Sequence, residues 1–299
     1  MALPDDPHLA AFLAVRPRLL RLAYRFLGST AEAEDIAQEA WVRFSAMTLK
    51  GEAARPLARI VTNLALDRLK SAQKRRETYV GAWLPEPIAG AAMPDEYGLD
   101  LSFAIMRALE RLSPAERAAL FLHDLFDFTF DEIADTLQRT PDACRQLAAR
   151  ARKALQTDKP RYAPSVAQIE TFRAAFDSIR ATGDVTPIVD ALAADVVLIS
   201  DGGGKVPAVR DPLVGRDRVA DVLGGILRKL YVPDKLRATV AEINGAPGLL
   251  VFVGDRLEQT VSFDLDATGR VAGIYIVRNP DKLARFAAAQ AQMRTIQLN

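Results

Sequence analysis

The chain has 299 residues, 49% hydrophobic and 26% charged, with a net charge of +1, which gives room for two or three soluble domains with real cores. A single cysteine, Cys144, excludes an internal disulfide framework or a cysteine-rich zinc site, and only two histidines, His8 and His123, argue against a multi-histidine metal centre. No apolar run approaches the length needed to cross a bilayer, and no basic start precedes an apolar run, so no membrane span and no signal peptide are expected and the cytoplasm is the expected location.

Up to about residue 80 the pattern is helical. Ser29 and Glu32 have capping-box spacing, and Ala33, Ile36, Ala37, Ala40 and Phe44 then fall on one helical stripe. The opposite face carries Asp35, Gln38, Glu39 and Val42, an acidic surface that a core does not need and that suits a basic protein partner. The next helix, expected from near Pro56, buries Leu57, Ile60, Val61 and Leu64 and turns Arg59, Asn63, Lys70 and Lys74 outward. Basic residues bunch around positions 55–76 and again around 139–161, so the near-neutral total conceals surfaces suited to a phosphate backbone.

Residues 83–98, WLPEPIAGAAMPDEYG, read as a linker by composition, although Trp83 and Leu84 are apolar enough to dock on a neighbour. In the second helical block, Ser113-Pro114-Ala115-Glu116, Thr129-Phe130-Asp131-Glu132 and Thr140-Pro141 start three helices. A short helix, a tight turn and a longer basic helix make a helix-turn-helix. Cys144, Leu147, Ala148, Ala151 and Leu155 form the inner face of the last helix, where Cys144 reads as a small core residue. Arg145 and Gln146, near its start, suit base edges, while Arg150, Arg152 and Lys153 suit phosphates.

Beyond residue 165 the character changes to α+β. Helices are expected over Val166–Arg180 and Arg218–Leu230, and strands over Val196–Ile199, Leu249–Val253, Thr260–Leu265 and Val271–Val277. The last three are spaced as antiparallel neighbours. The motif Asp201-Gly202-Gly203-Gly204-Lys205 lacks Walker spacing and a following Ser or Thr, and reads as a loop specialised for an interface. Asp201, Asp264 and Glu258 are the carboxylates available for acid–base work, but no acid–base pair with a usable spacing emerges.

The segments AEAEDIAQEAWVRF, ARIVTNLALDRLKSAQKRR and LSPAERAALFLHDLFDFTFDEIADTLQRTPDACRQLAARARKAL closely resemble regions 2 and 4 of the extracytoplasmic-function group of sigma-70 factors. The remainder resembles a SnoaL-like domain of the NTF2-like fold, and WLPEP (83–87), DGGGK (201–205) and NPDKL (279–283) resemble motifs of the subgroup that fuses the two. The implied architecture is two all-α sigma domains, a region 2 helical bundle (1–82) and a region 4 helix-turn-helix (101–158), joined by a linker (83–100) and followed by an α+β cone (165–292). By this resemblance Asp35, Gln38 and Glu39 would contact core RNA polymerase. Lys50, Glu52, Arg55, Arg59 and Asn63 would read the −10 element of promoter DNA. Thr140, Arg145, Gln146, Arg150, Arg152 and Lys153 would hold the −35 element, with Ala149 standing where a basic residue would add a contact.

Trp83, Leu84, Asp201, Gly202, Gly203, Gly204, Lys205, Asn279, Pro280, Asp281, Lys282 and Leu283 would form a regulatory interface through which the C-terminal domain docks on the sigma domains. No catalytic residues, cofactor or metal are expected, and the cone leaves room for a small-molecule ligand. Two alternatives stand beside an initiation factor regulated in cis: a cyclase or isomerase fused to a DNA-binding module, and a one-component ligand-sensing repressor. The acidic helix separates the first reading from the repressor, which needs no polymerase-binding face.

Overall fold

The computed structural model describes residues 6–48, 51–89, 101–156, 161–182, 184–230 and 236–297, so Lys50 lies outside the described residues. Two compact units divide the chain: Met1–Glu77 with Met93–Leu99 and Ile105–Asp158, and Thr78–Ala92 with Asp100–Ala104 and Lys159–Asn299.

The first unit is helical. Helix α1 (Pro7–Leu27) starts where Asp6 accepts the His8 N–H and stops at Gly28, whose φ of 66° needs no Cβ accommodated. Its Leu19, Leu22 and Phe26 recur at helical spacing and are fully buried, and α2 (Thr30–Ser45) and α3 (Ala54–Glu77) pack on it. The stripe expected on α2 is buried throughout. On α3, Leu57 and Val61 are buried as expected, while Ile60 and Leu64 are half-buried and Ala58, Ala65 and Leu69 complete the inner face.

The second helical block comprises α4 (Phe103–Glu110), α5 (Pro114–Phe126), α6 (Phe130–Leu137) and α7 (Pro141–Gln156). Full capping boxes at Ser113/Glu116 and Thr129/Glu132 start α5 and α6, and Gln138 in the left-handed region ends α6. The two blocks, distinct in sequence, share one core. Phe26 of α1 meets Phe121 of α5 edge-on at 5.0 Å, and the buried Arg117 donates to the Phe26 carbonyl at 2.9 Å. Burial, with Arg76 nearby, holds the Arg117 guanidinium down to about 10.

The second unit is a six-stranded sheet in the order β2-β1-β6-β5-β4-β3. Its strands are β1 (Leu192–Asp201), β2 (Leu213–Val214), β3 (Leu236–Ile243), β4 (Ala246–Val253), β5 (Arg256–Leu265) and β6 (Val271–Val277). β1 and β6 run parallel and every other pair is antiparallel, including the expected β4–β5–β6 meander. Helices α8 (Val166–Thr182), α9 (Thr186–Ala191) and α10 (Arg216–Leu230) cover one face with a core built on Phe172, Leu198, Val219 and Phe263. The other face is covered by α11 (Pro280–Gln297), through Leu283 and Phe286, and by Leu84, Ala89 and Phe103. This is the expected α+β cone. The expected linker differs: Leu84 to Ala89 are buried in the second unit, because apolar side chains on that segment find an apolar sheet face. Residues 90–100 lie outside the described residues.

Candidate functional site

Periodicity placed Asp35, Gln38 and Glu39 on the outer face of α2, and all three are exposed, beside Val42 at 62% exposure. Glu39 pairs with Arg43 at 2.9 Å and Asp35 with Arg68 at 3.5 Å. Such exposed pairs contribute about 0–1 kcal/mol, so they break at little cost.

On α3 and the loop before it, Glu52 and Asn63 are exposed, but Arg55 and Arg59 are half-buried against the helix-turn-helix. Arg55 donates to Glu132 at 2.8 Å and to the Asp127 carbonyl at 2.7 Å. Arg59 donates to the Thr136 hydroxyl at 2.9 Å and the Glu132 carbonyl at 3.1 Å. The Arg55 guanidinium also lies 5.6 Å from the centre of the Phe128 ring. The Glu132 carboxyl is held below the usual glutamate range by the Thr129 backbone and hydroxyl bonds, with Arg55 and Arg59 adding to them. The expectation that Arg59 turns outward is thereby corrected: its guanidinium is spent on α6, and that of Arg55 on α6 and on the carbonyl that ends α5.

Helix α7 presents the expected outer face. Arg145, Gln146, Arg150 and Lys153 are exposed and Arg152 half-buried, while Cys144, Leu147, Ala148 and Ala151 face inward. Burial pushes the Cys144 thiol up, as suits an inert core residue. Thr140 accepts the Ala143 N–H at 3.3 Å and so starts the helix. Three of the basic residues meet acids: Arg145 with Asp142, Arg150 with Glu116 at 3.1 Å, and Arg152 with Asp124.

The three motifs at 83–87, 201–205 and 279–283 converge on Asp201, which is fully buried. Its carboxylate accepts four hydrogen bonds: the Tyr79 hydroxyl at 2.7 Å, the Leu84 N–H at 2.9 Å, the Gly203 N–H at 2.9 Å and the Lys282 ammonium at 2.7 Å. Lys282 also donates to the Leu84 carbonyl and lies 4.5 Å from the centre of the Trp83 ring. Asn279 donates to the Tyr79 hydroxyl at 2.8 Å. Burial, then the bond to Asp201, drives the Tyr79 phenol pKa up, so it stays a donor.

The glycines have steric reasons. A Cβ on Gly203 (φ +65°) would lie 2.4 Å from Asn279 Nδ2, and one on Gly204 (φ +70°) 3.0 Å from Val80. Asp201, Leu84, Asn279, Lys282 and Leu283 are therefore buried in the second unit's own packing. Only Gly204, Lys205, Pro280 and Asp281 of the two motifs are exposed, with Lys205 and Asp281 paired at 2.5 Å.

Sequence reasoning missed Asn244. Its backbone N–H and its side-chain oxygen both bond Ile88, and its amide donates to the Leu101 carbonyl, each at 2.9 Å. It thus ties down residues 88 and 101, either side of the stretch 90–100. The Asn244-Gly245 pair just ahead of the apolar run of β4 is a turn signal that would have located both the β3–β4 turn and this residue.

A cavity of about 300 Å³ opens between the sheet and helices α8 and α10. Neither Asp201, Asp264 nor Glu258 lines it. Asp264 is buried beside Gly273 and Glu258 pairs with Arg278 at 2.9 Å. Among the described residues no group of three or more His, Cys, Asp or Glu side chains is placed to hold a metal, and no helix is long and apolar enough to cross a membrane.

An acidic helix, a helix-turn-helix and a sheet domain clipped to the connector between them are the parts of a transcription initiation factor. Residues 11–75 match the family Sigma-70 region 2 and residues 102–155 match Sigma-70 region 4. The ECF RNA polymerase sigma factor SigJ of Mycobacterium tuberculosis is 36% identical over 290 residues, spanning 92% of each chain. The probable ECF RNA polymerase sigma factor SigI of the same species is 31% identical over 287 residues, spanning 93% of this chain and 95% of that one. The crystal structure of SigJ matches with a TM-score of 0.72 at 32% identity, over 92% of this chain and 98% of that one. The chain belongs to the ECF RNA polymerase sigma factors, which direct promoter-specific transcription initiation.

Proposed function

We propose that the second unit of this sigma factor sets its activity in cis by clipping the connector between regions 2 and 4. The observation that carries this is the Asp201 cluster, which binds both the N–H and, through Lys282, the C=O of Leu84. Removing one partner of a buried ion pair costs about 3–5 kcal/mol, so the clip is strong enough to hold a segment and weak enough to switch.

The consequence is one of reach. Promoter elements named −10 and −35 lie more than two turns of duplex apart, over about 70 Å. Regions 2 and 4 here pack on one another, with Arg55 and Arg59 held by α6. With residues 78–89 and 101–104 anchored, the connector cannot pay out. Released, its roughly 25 residues extend to about 85 Å, enough to let both regions reach their elements.

In the opened form Asp35, Gln38 and Glu39 engage core polymerase. Lys50, Glu52, Arg55, Arg59 and Asn63 face −10 DNA, and Thr140, Arg145, Gln146, Arg150, Arg152 and Lys153 face −35 DNA. The chain works in the cytoplasm as a binding protein, not an enzyme, and its cavity serves a small-molecule ligand.

The test uses dyes on Asp67→Cys and Gln156→Cys in a Cys144→Ala background. Energy transfer should be high in the free chain and lost on core polymerase with promoter DNA. It should fall partway in Lys282→Met alone. Transfer that stays high on the promoter complex would refute the opening.

A further inference from the structure

The cavity of the second unit and the Asp201 clip share a wall. Ser200, Pro207, Ala208 and Val209 line the cavity and also line a recess bordered by Val80, Gly81, Gly202 and Gly204. Along β1 the side chains alternate: Leu198 and Ser200 face the cavity, while Ile199 and Asp201 face the clipped connector. The loop 202–209 leaves little slack, since a Cβ on Gly202 would meet the Val206 carbonyl at 2.4 Å. Whatever fills the cavity therefore abuts Ser200 and Pro207 to Val209, which flank the Asp201 loop in sequence.

The lining defines what fits. Phe176, Leu198, Leu223, Val251, Val261 and Ile276 make it mainly apolar, and 300 Å³ is at the small end of ligand sites. Its charged groups are already neutralised. Arg173 pairs with Glu170 and Asp177 at 2.7 Å, and Arg278 pairs with Glu258 at 2.9 Å. Arg278 nonetheless keeps a buried Nε–H without an acceptor, while its other nitrogens bond Glu258 and the Pro207 carbonyl.

We propose that this cavity is an effector site for a small, uncharged, apolar molecule of one or two rings carrying one hydrogen-bond acceptor, and that its occupancy shifts the clip through the shared wall at Ser200 and 207–209. The acceptor meets Arg278, the same side chain that holds the wall at Pro207. An anionic ligand is disfavoured because Glu258 already offsets the arginine. This inference deepens the proposed regulation in cis and rests on it for its biological meaning.

The experiment titrates the full chain with acetylnaphthalene, naphthalene and naphthoate by calorimetry. It follows Trp83 by fluorine NMR of the fluorotryptophan-labelled chain, with Trp41→Phe to assign the signal. Acetylnaphthalene should bind, naphthalene about fivefold more weakly for want of the hydrogen bond, and naphthoate weakest. Ala238→Trp, or Ile226→Trp should the first not fold, should fill the cavity and abolish binding. The Trp83 signal should move in step with occupancy. The site assignment is overturned if neither neutral probe binds, if naphthoate binds best, or if a folded filling variant binds as well as the parent. The coupling is overturned if Trp83 is unmoved at saturation. A Trp83 shift with no change in promoter transcription leaves the site standing and removes regulation in cis instead.

Discussion

Asp201 gathers the polar contacts of the second unit's connector clip in one side chain. A fully buried carboxylate is tolerable because four donors surround it, one of them the cation of Lys282. Lys282→Met should destabilise the clip by about 3–5 kcal/mol, and Asp201→Asn added to it should recover part of that loss, since no buried charge then stands alone. Urea unfolding followed by Trp83 fluorescence checks both, and additivity of the two changes would contradict the coupling. Gly203→Ala should also loosen the clip, because the added methyl meets Asn279 and the backbone is left-handed. The acidic face of α2 was legible from periodicity alone, whereas the Asp201 cluster was not. The motifs at 83–87, 201–205 and 279–283 stood out as unusual, but only the fold brings residues separated by 117 and 198 positions into contact.

Helices α3, α6 and α7 carry the residues proposed to contact DNA, and α6 holds two of those on α3. Glu132 caps α6 and, with the same carboxylate, holds Arg55, so helix formation and the proposed masking of Arg55 would use one group. Both partners are substantially exposed, so the pair contributes no more than about 1 kcal/mol, and Glu132→Gln should raise promoter binding by the free chain only severalfold. Fluorescence anisotropy with promoter DNA reads this directly, and unchanged affinity would show that Arg55 is not masked.

The pH sign follows from a lowered acid. The contribution of Glu132 is fully present above the ordinary glutamate pKa and is lost only as pH falls through its depressed folded value. Dye separation between regions 2 and 4 should therefore be constant between about pH 7 and about pH 5.5. On α7, Arg145→Ala should relax preference at one base pair at a cost of about 1–3 kcal/mol, while Lys153→Ala should weaken all sites alike and flatten the salt dependence. Equal losses for Arg145→Ala on specific and random DNA would remove it from the base-reading set. Strands β4 to β6 were legible as apolar runs of strand length. Strand β3 was not, because LRATVAEI, half-buried along most of its length, carries too few strongly apolar residues to stand out.

At the scale of the whole molecule, the sequence separated helical blocks from a sheet domain but did not reveal that residues 78–89 belong to the latter. Proline and glycine content reads as linker because it reports local backbone preference, and burial of Leu84 and Ile88 is a tertiary outcome. That outcome makes residues 78–89 part of the second unit, and the proposed regulation in cis turns on their release. The most direct test is run-off transcription with purified core polymerase on a promoter selected by this chain, comparing the parent with Lys282→Met at concentrations giving equal core binding. The account predicts a promoter-specific transcript from the parent and a yield changed several-fold by the variant. No promoter-specific transcript, or identical yields from the two chains, would contradict it.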